Sequence, residues 1–302
     1  MFEAAEMTSH RSAGRNILIE FSSAPGEIQG GLCAPDNLEK AQFLDMLNVV
    51  FSAPGGFDAR LHGSSVALTP TNEYLEHGHY TLTPCLPGEM MRSSSERFFP
   101  RTRSASSTMR TTAFRDRIRS RDCRCVVTSQ PCLGAKNGRW SGFETAHIFP
   151  LALENIFISQ GYPQLITGHD GINSPQNGLL LRSDLHNLWD DYSISVNPHD
   201  GYKVYAFLED GWFYHGNILH PTCRQPGDAA GVLDALLRWH FEQAALCNMR
   251  GTGEPLFEFD FPPGSDIMGE IQQGPQAEER MEAELFGRLH GLYDPFPQGL
   301  SP

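Results

Sequence analysis

The chain has 302 residues and a formal net charge of −13, with 23 Lys and Arg against 36 Asp and Glu. Its 40% apolar and 20% charged residues exclude a wholly disordered chain and provide for a sizeable core. No apolar run reaches the roughly 20 residues of a membrane span, and the acidic start MFEAAEM has no apolar signal core. With an odd number of cysteines, seven, we expect an intracellular protein, cytoplasmic or nuclear, without a disulfide framework or a membrane partner.

Residues 1–90 predict a small α+β domain. A strand is expected at 15–21, and a helix at 38–50 repeats its apolar positions at helical spacing after the capping pair Asp36-Asn37. Short strands are expected at 65–68 and 80–83. No pattern of catalytic residues accompanies these elements, so the sequence predicts no function for this domain.

Residues 91–113 predict a linker rich in Arg, Ser and Thr. Between positions 91 and 124 there are ten arginines against three acidic residues, a local charge of +7 in an acidic chain. The segment is either a solvated tether or an arm whose arginines attract the phosphates of a nucleic acid.

The remaining chain predicts a core at 114–208 and a helical C-terminal extension at 209–302 that packs on it, which makes the fold class α+β. The core is expected to contain, in order, a helix at 114–121, a hairpin of strands 125–128 and 140–148, a helix from 183 past 189, and a hairpin of 193–197 and 202–207. The extension is expected to contain a helix at 228–249, an extended run at 254–264 and a helix at 278–290.

Three short motifs in the core carry residues suited to catalysis: ETAHIFP (144–150), NSPQNGL (173–179) and SDLHNLWD (183–190). On the helix of the third motif, His186 and Asp190 are four residues apart, a spacing that lets an imidazole and a carboxylate bind one divalent cation. His147 ends a strand just before a loop, and an imidazole there can take a proton from water near neutral pH. Taken singly, the pair of His186 and Asp190 also fits a surface hydrogen bond, and His147 fits a hydrogen-bonded core histidine. Asn177-Gly178 fits a simple turn.

The order and spacing of these motifs resemble the HNH endonuclease family, in particular the subfamily with an AHI-x-P start. The resemblance covers about residues 122–207, and the flanking sequence resembles that of fungal proteins with an HNH nuclease domain. It implies a ββα-metal fold that binds one divalent ion, Mg²⁺, Mn²⁺ or Zn²⁺. His147 would be the general base, Asn177 would hold the loop that orients it, and His186 and Asp190 would bind the ion. The implied substrate is DNA, cleaved with low sequence specificity.

One position departs from the family pattern. Many HNH nucleases have Asp or His as a metal ligand immediately before the base, whereas this chain has Ala146, and Glu144 is the nearest substitute. This departure and the acidic net charge leave two alternatives open. One is a degenerate HNH module that binds a partner or nucleic acid, and the other is an HNH-fold enzyme that acts on a small molecule.

Overall fold

A computed structural model describes residues 10–99, 101, 112–253, 261, 264–274, 277–278, 280–281 and 284–285. The helices are α1 (His10–Ala13), α2 (Lys40–Val50), α3 (Thr112–Asp122), α4 (Glu154–Ser159), α5 (Ser183–Asp190), α6 (Asp234–Met249) and α7 (Ile267–Gln273). The strands are β1 (Ile17–Phe21), β2 (Ala24–Leu32), β3 (Phe51–Ser52), β4 (Phe57–Leu61), β5 (Gly78–Pro84), β6 (Arg92–Ser93), β7 (Phe143–His147), β8 (Gly178–Arg182), β9 (Ile194–Asn197) and β10 (Lys203–Ala206). The chain is therefore a mixed α+β protein with small sheets.

The chain divides into two compact units, each assembled from three separate stretches. The first unit comprises residues 1–98, 192–218 and 238–265, and the second comprises residues 99–191, 219–237 and 266–302. We predicted four domains, each a continuous stretch of the chain, at 1–90, 91–113, 114–208 and 209–302. The two units differ from them because each unit combines stretches that are distant in the sequence. The physical reason is that β9, β10 and most of α6 bury aromatic side chains in the core of the first unit: Tyr192, Tyr205, Phe207 and Phe241.

The first unit contains a four-stranded mixed sheet in the order β2-β1-β5-β4. β1 runs parallel to β5 and antiparallel to β2, and β4 is antiparallel to β5. The apolar face of α2, which includes Phe43 and Leu47, belongs to the buried core of this unit. This sheet confirms the strands predicted at 15–21 and 80–83 and extends the second of them.

The second unit contains the antiparallel pair β7 and β8, followed directly by α5. The register pairs Phe143 with Arg182 and His147 with Gly178. Strand β8 has an uninterrupted apolar run, Leu179 to Leu181, in which each side chain is fully buried. Such a run is typical of a strand covered on both faces. The chain of this unit thus follows the order strand, long loop, strand, helix.

Several predicted elements differ from the structure. Residues 125–128 form a turn, not a strand, because the bridge between Arg124 and Pro131 closes a short loop in which Ser129 has a φ of 61°. The partner of β7 is therefore β8. Residues 65–68 are not a strand, and the N-cap of α2 is Glu39, which forms a capping box with Gln42 in place of the predicted cap at 36–37.

Part of the predicted linker lies within the described residues. Arg92 and Ser93 form a strand that pairs with β3, and the side chain of Arg101 is buried. Residues 100 and 102–111 lie outside the described residues, as do most of the predicted extended run at 254–264 and most of the predicted helix at 278–290.

Candidate catalytic and metal-binding site

His147 is the last residue of β7, and its ring is held on two sides. The ring stacks on Phe114 of α3, with centroids 4.0 Å apart and planes within 5° of parallel. Its Nε2 lies 3.3 Å from Oδ1 of Asn173 in the loop before β8. His147 is 5% exposed, so both contacts restrict a ring that is largely buried.

Asn177 fixes the backbone immediately after His147. Its Oδ1 accepts a hydrogen bond from the amide of Phe149 at 2.7 Å, and its Nδ2 donates to the carbonyls of Phe149 at 3.0 Å and Ile172 at 2.9 Å. Its own carbonyl accepts from the amide of Ile148 at 3.0 Å. Asn177 is fully buried, so it joins two segments of the long loop from inside the protein.

His186 lies on α5 between two carboxylates. Its Nδ1 is 2.6 Å from Oε2 of Glu144 on β7, and its Nε2 is 3.3 Å from Oδ2 of Asp190 one turn later on the helix. His186 and Asp190 are nearly buried, whereas the Glu144 side chain is 47% exposed. The imidazole is therefore oriented by a carboxylate on the strand and faces a second one on its own helix.

Arg101 and Trp189 connect α5 to the end of β7. The two η nitrogens of Arg101 donate to the carbonyls of His147 at 2.8 Å and Ile148 at 2.7 Å, and Nη2 also contacts Oδ1 of Asp190 at 2.8 Å. The indole Nε1 of Trp189 donates to the same carbonyl of His147 at 3.2 Å. These contacts hold the two predicted metal ligands and the predicted base in one part of the second unit.

The donor set of His186 and Asp190 fits a divalent cation. Two ligand atoms bound about 2.1 Å from one ion lie about 3.0 to 3.4 Å apart, and the separation of Nε2 and Oδ2 is 3.3 Å. Glu144 occupies the place of a carboxylate that orients a ligating imidazole through its other nitrogen. Within the described ranges, no group of three or more His, Cys, Asp or Glu side chains is arranged to hold a metal ion.

Sequence reasoning missed three residues of this site. Phe114, Asn173 and Arg101 contact the predicted residues only because α3, the long loop and the segment at 101 meet around the end of β7. Arg101 falls in a segment whose composition predicts a linker. Its position in the sequence carries no signal of burial, whereas Asn173 stands in one of the three motifs.

A comparison with protein families found a match that includes all three motifs. No curated protein and no solved structure matches the chain. No helix in the described part of the chain has the length and apolar character needed to cross a membrane. Residues 125–197 match the family model of the HNH endonuclease domain, HNH_2. Residues 125–197 are therefore similar to the HNH endonuclease domain, and this similarity suggests nuclease activity.

Proposed function

We propose that this protein is a metal-dependent HNH endonuclease that hydrolyses phosphodiester bonds of DNA. The observation that supports this function best is the arrangement around the end of β7. The imidazole of His147 is restrained, and the backbone carbonyl of His147 accepts hydrogen bonds from Arg101 and Trp189. Trp189 belongs to the helix that carries His186 and Asp190, and Arg101 also contacts Asp190. We also infer the AHI-x-P subfamily from the residues Ala146 to Pro150, a fungal source from the flanking sequence, and an intracellular, cytoplasmic or nuclear location.

His147 is the proposed general base. The amide oxygen of Asn173 faces Nε2 of His147 and favours the tautomer that carries its proton there, in which Nδ1 is the basic nitrogen. Nδ1 then takes a proton from the water that attacks phosphorus. Phe114 keeps the ring plane fixed, and Asn177 fixes the backbone that follows it.

His186 and Asp190 are the proposed ligands of the cation. Glu144 accepts a hydrogen bond from Nδ1 of His186, which leaves the lone pair of Nε2 toward the side of Asp190. A bound divalent cation supplies electrostatic stabilisation of the charge that develops on the phosphate and on the leaving oxygen. Mg²⁺, Mn²⁺ and Zn²⁺ all accept imidazole and carboxylate ligands.

DNA is the proposed substrate, with low sequence specificity. The ten arginines between positions 91 and 124, apart from the buried Arg101 and Arg121, provide positive charge in an otherwise acidic chain. Contacts with phosphates give binding without reading the bases, and salt weakens them. Cleavage is therefore expected to be strongest at low ionic strength.

The experiment is a plasmid-nicking assay at low salt with Mg²⁺, Mn²⁺ or Zn²⁺, on wild type and on His147→Ala. We expect wild type to relax or linearise the plasmid and His147→Ala to lose activity by at least about 100-fold, because a general base contributes that much or more. The control is His62→Ala, which removes an exposed histidine of the first unit. Circular dichroism checks that both variants fold. Wild type that leaves the plasmid supercoiled with all three ions contradicts the proposal.

A degenerate HNH module is the second candidate function, favoured by one observation. The position before the base is Ala146, whose side chain has no donor atom for a cation. Such a module would bind DNA in a gel-shift assay and leave it intact with every ion. Cleavage by wild type that is lost in His147→Ala rules this candidate out.

A further inference from the structure

Arg101 is a buried arginine that lies outside the range matched by the HNH family. Its side chain is 3% exposed, and its guanidinium reaches two different elements. It donates to the last carbonyl of β7 and the carbonyl after it, and it pairs with Asp190 at the end of α5. Burying an arginine is costly unless its charge and donors are matched. Here a carboxylate pairs with the charge, and two carbonyls accept hydrogen bonds from the η nitrogens.

The guanidinium sets the spacing of the two elements it joins. Its donors lie in one plane and in fixed directions, so the carbonyls of His147 and Ile148 and the carboxylate of Asp190 keep a defined mutual geometry. The side chain of Asn177 binds both the backbone amide and the backbone carbonyl of the next residue, Phe149. The backbone of residues 147–149 is thus held by Arg101 and Asn177 in succession.

The two carboxylate oxygens of Asp190 have different partners, and Arg101 contacts one of them. Oδ1 pairs with Arg101 at 2.8 Å, and Oδ2 lies 3.3 Å from Nε2 of His186. Oδ2 therefore stays directed toward His186. The positive charge of Arg101 opposes the binding of a metal cation nearby.

We propose that Arg101 is a positioning residue, which aligns the base His147 with the cation ligand Asp190 and lowers cation affinity at that ligand. This inference rests on the proposed function. It makes a prediction that a purely stabilising arginine does not: removing the charge of Arg101 slows the reaction while it strengthens cation binding.

The test compares Arg101→Met and Arg101→Lys with wild type. For Arg101→Met we expect kcat to fall by roughly 100-fold with KM within about twofold, because a small displacement of reacting groups is enough for such a loss. Calorimetry should show Mn²⁺ binding about fivefold tighter, since an opposing charge is gone. Arg101→Lys keeps the charge without the planar fork, so kcat should fall by about tenfold while Mn²⁺ affinity stays near that of wild type.

Arg60→Met is the matched control, because it removes an arginine from a surface pair with Asp58 in the first unit. Both its kcat and its Mn²⁺ affinity should equal those of wild type. A second readout is independent of cleavage. The amides of Ile148 and Phe149 should exchange with deuterium about tenfold faster in Arg101→Met, relative to the amide of Leu180, which is bonded to Asp122.

The outcomes separate the two proposals. A wild-type protein that cleaves no DNA refutes the proposed function, and amide exchange together with Mn²⁺ binding still decides the role of Arg101. Active wild type with kcat of Arg101→Met within threefold refutes the positioning role. Weaker Mn²⁺ binding in Arg101→Met, or unchanged amide exchange, also refutes it. If neither variant folds, Arg101 serves stability alone and the inference is wrong.

Discussion

His186 shows how single side chains shape this site. Its two ring nitrogens face Glu144 and Asp190, which come from different elements. A carboxylate bonded to one nitrogen of an imidazole fixes its tautomer and makes the other nitrogen a better ligand. In the proposed site, Glu144 would therefore act on the cation through His186.

Glu144→Gln tests this role. The amide oxygen can still accept a hydrogen bond from Nδ1 of His186, but it lacks the negative charge of the carboxylate. We expect Mn²⁺ affinity, measured by calorimetry, to fall by about 10- to 100-fold. Glu154→Gln, at the start of α4, is the control and should bind Mn²⁺ as wild type does. Equal affinities of the two variants would show that Glu144 does not support His186.

The site residues that could be predicted from the sequence are those in the three motifs. His147, Asn177, His186 and Asp190 were expected from three short motifs and their resemblance to the HNH family, and the structure places all four in the second unit. Their chemical roles remain predictions. Arg101 could not be anticipated, because an arginine among Ser, Thr and other arginines has the composition of a solvated segment. Only the carbonyls and carboxylate that surround it identify it as buried.

At the scale of elements, α3 approaches the β7–β8 pair closely at Gly178. Gly178 at the start of β8 lies against Ile118 and Phe114 of that helix. It pairs with His147 across the ladder, and Phe114 stacks on the ring of His147. The missing side chain of Gly178 thus allows the helix to reach both the strand pair and the proposed base.

Gly178→Ala should therefore destabilise the second unit. The added Cβ would overlap Cδ1 of Ile118 and lie 2.7 Å from Cζ of Phe114. Overpacking of this kind typically costs about 1–3 kcal/mol of unfolding free energy, measured by urea denaturation. Ile118→Val removes the overlapping atom, so the double variant should be more stable than the sum of the two single changes predicts. Strict additivity would show that the clash is relieved elsewhere.

The elements that the sequence predicted best are those with strong periodicity or turns. The hairpin of β9 and β10 and the helix α6 were expected from such patterns, and both are present. Residues 125–128 were wrongly expected to be a strand, because four residues rich in β-branched types resemble one. A turn closed by the bridge of Arg124 with Pro131 decided otherwise. Local propensity for strands is weak against such tertiary contacts.

At the scale of the whole molecule, folding buries a histidine in the first unit. Burial lowers the pKa of His215 from its ordinary value of 6.5 to about 4. Nδ1 of His215 accepts a hydrogen bond from the amide of Ala206 at 3.2 Å, and Nε2 lies 3.1 Å from Oε1 of Gln42. The neutral ring can therefore hydrogen-bond to both Ala206 and Gln42. A second proton on the ring would occupy Nδ1, which then could not accept the hydrogen bond from Ala206.

This burial predicts that acid weakens the fold. Between pH 6.5 and 4 the unfolded chain binds a proton at His215 that the folded protein does not, so stability falls as pH falls through that range. The expected contribution between pH 7 and 5 is about 2 kcal/mol. Urea denaturation of wild type and His215→Gln at both pH values measures it, and the variant should lose less stability on acidification. Parallel pH profiles would contradict the prediction.

By itself, the sequence determined what depends on neighbours along the chain. The strand and helix patterns, and the motif that matches the HNH endonuclease family at residues 125–197, are of this kind. The tertiary structure decided which strand pairs with β7, which stretches form each unit, and that Arg101 is buried against Asp190. These features arise from contacts between residues that lie 89 positions apart in the case of Arg101 and Asp190, and 237 positions apart in the case of Arg11 and Asn248. Pairing, burial and hydrogen bonding across such separations are settled when the whole chain packs, so no local pattern encodes them.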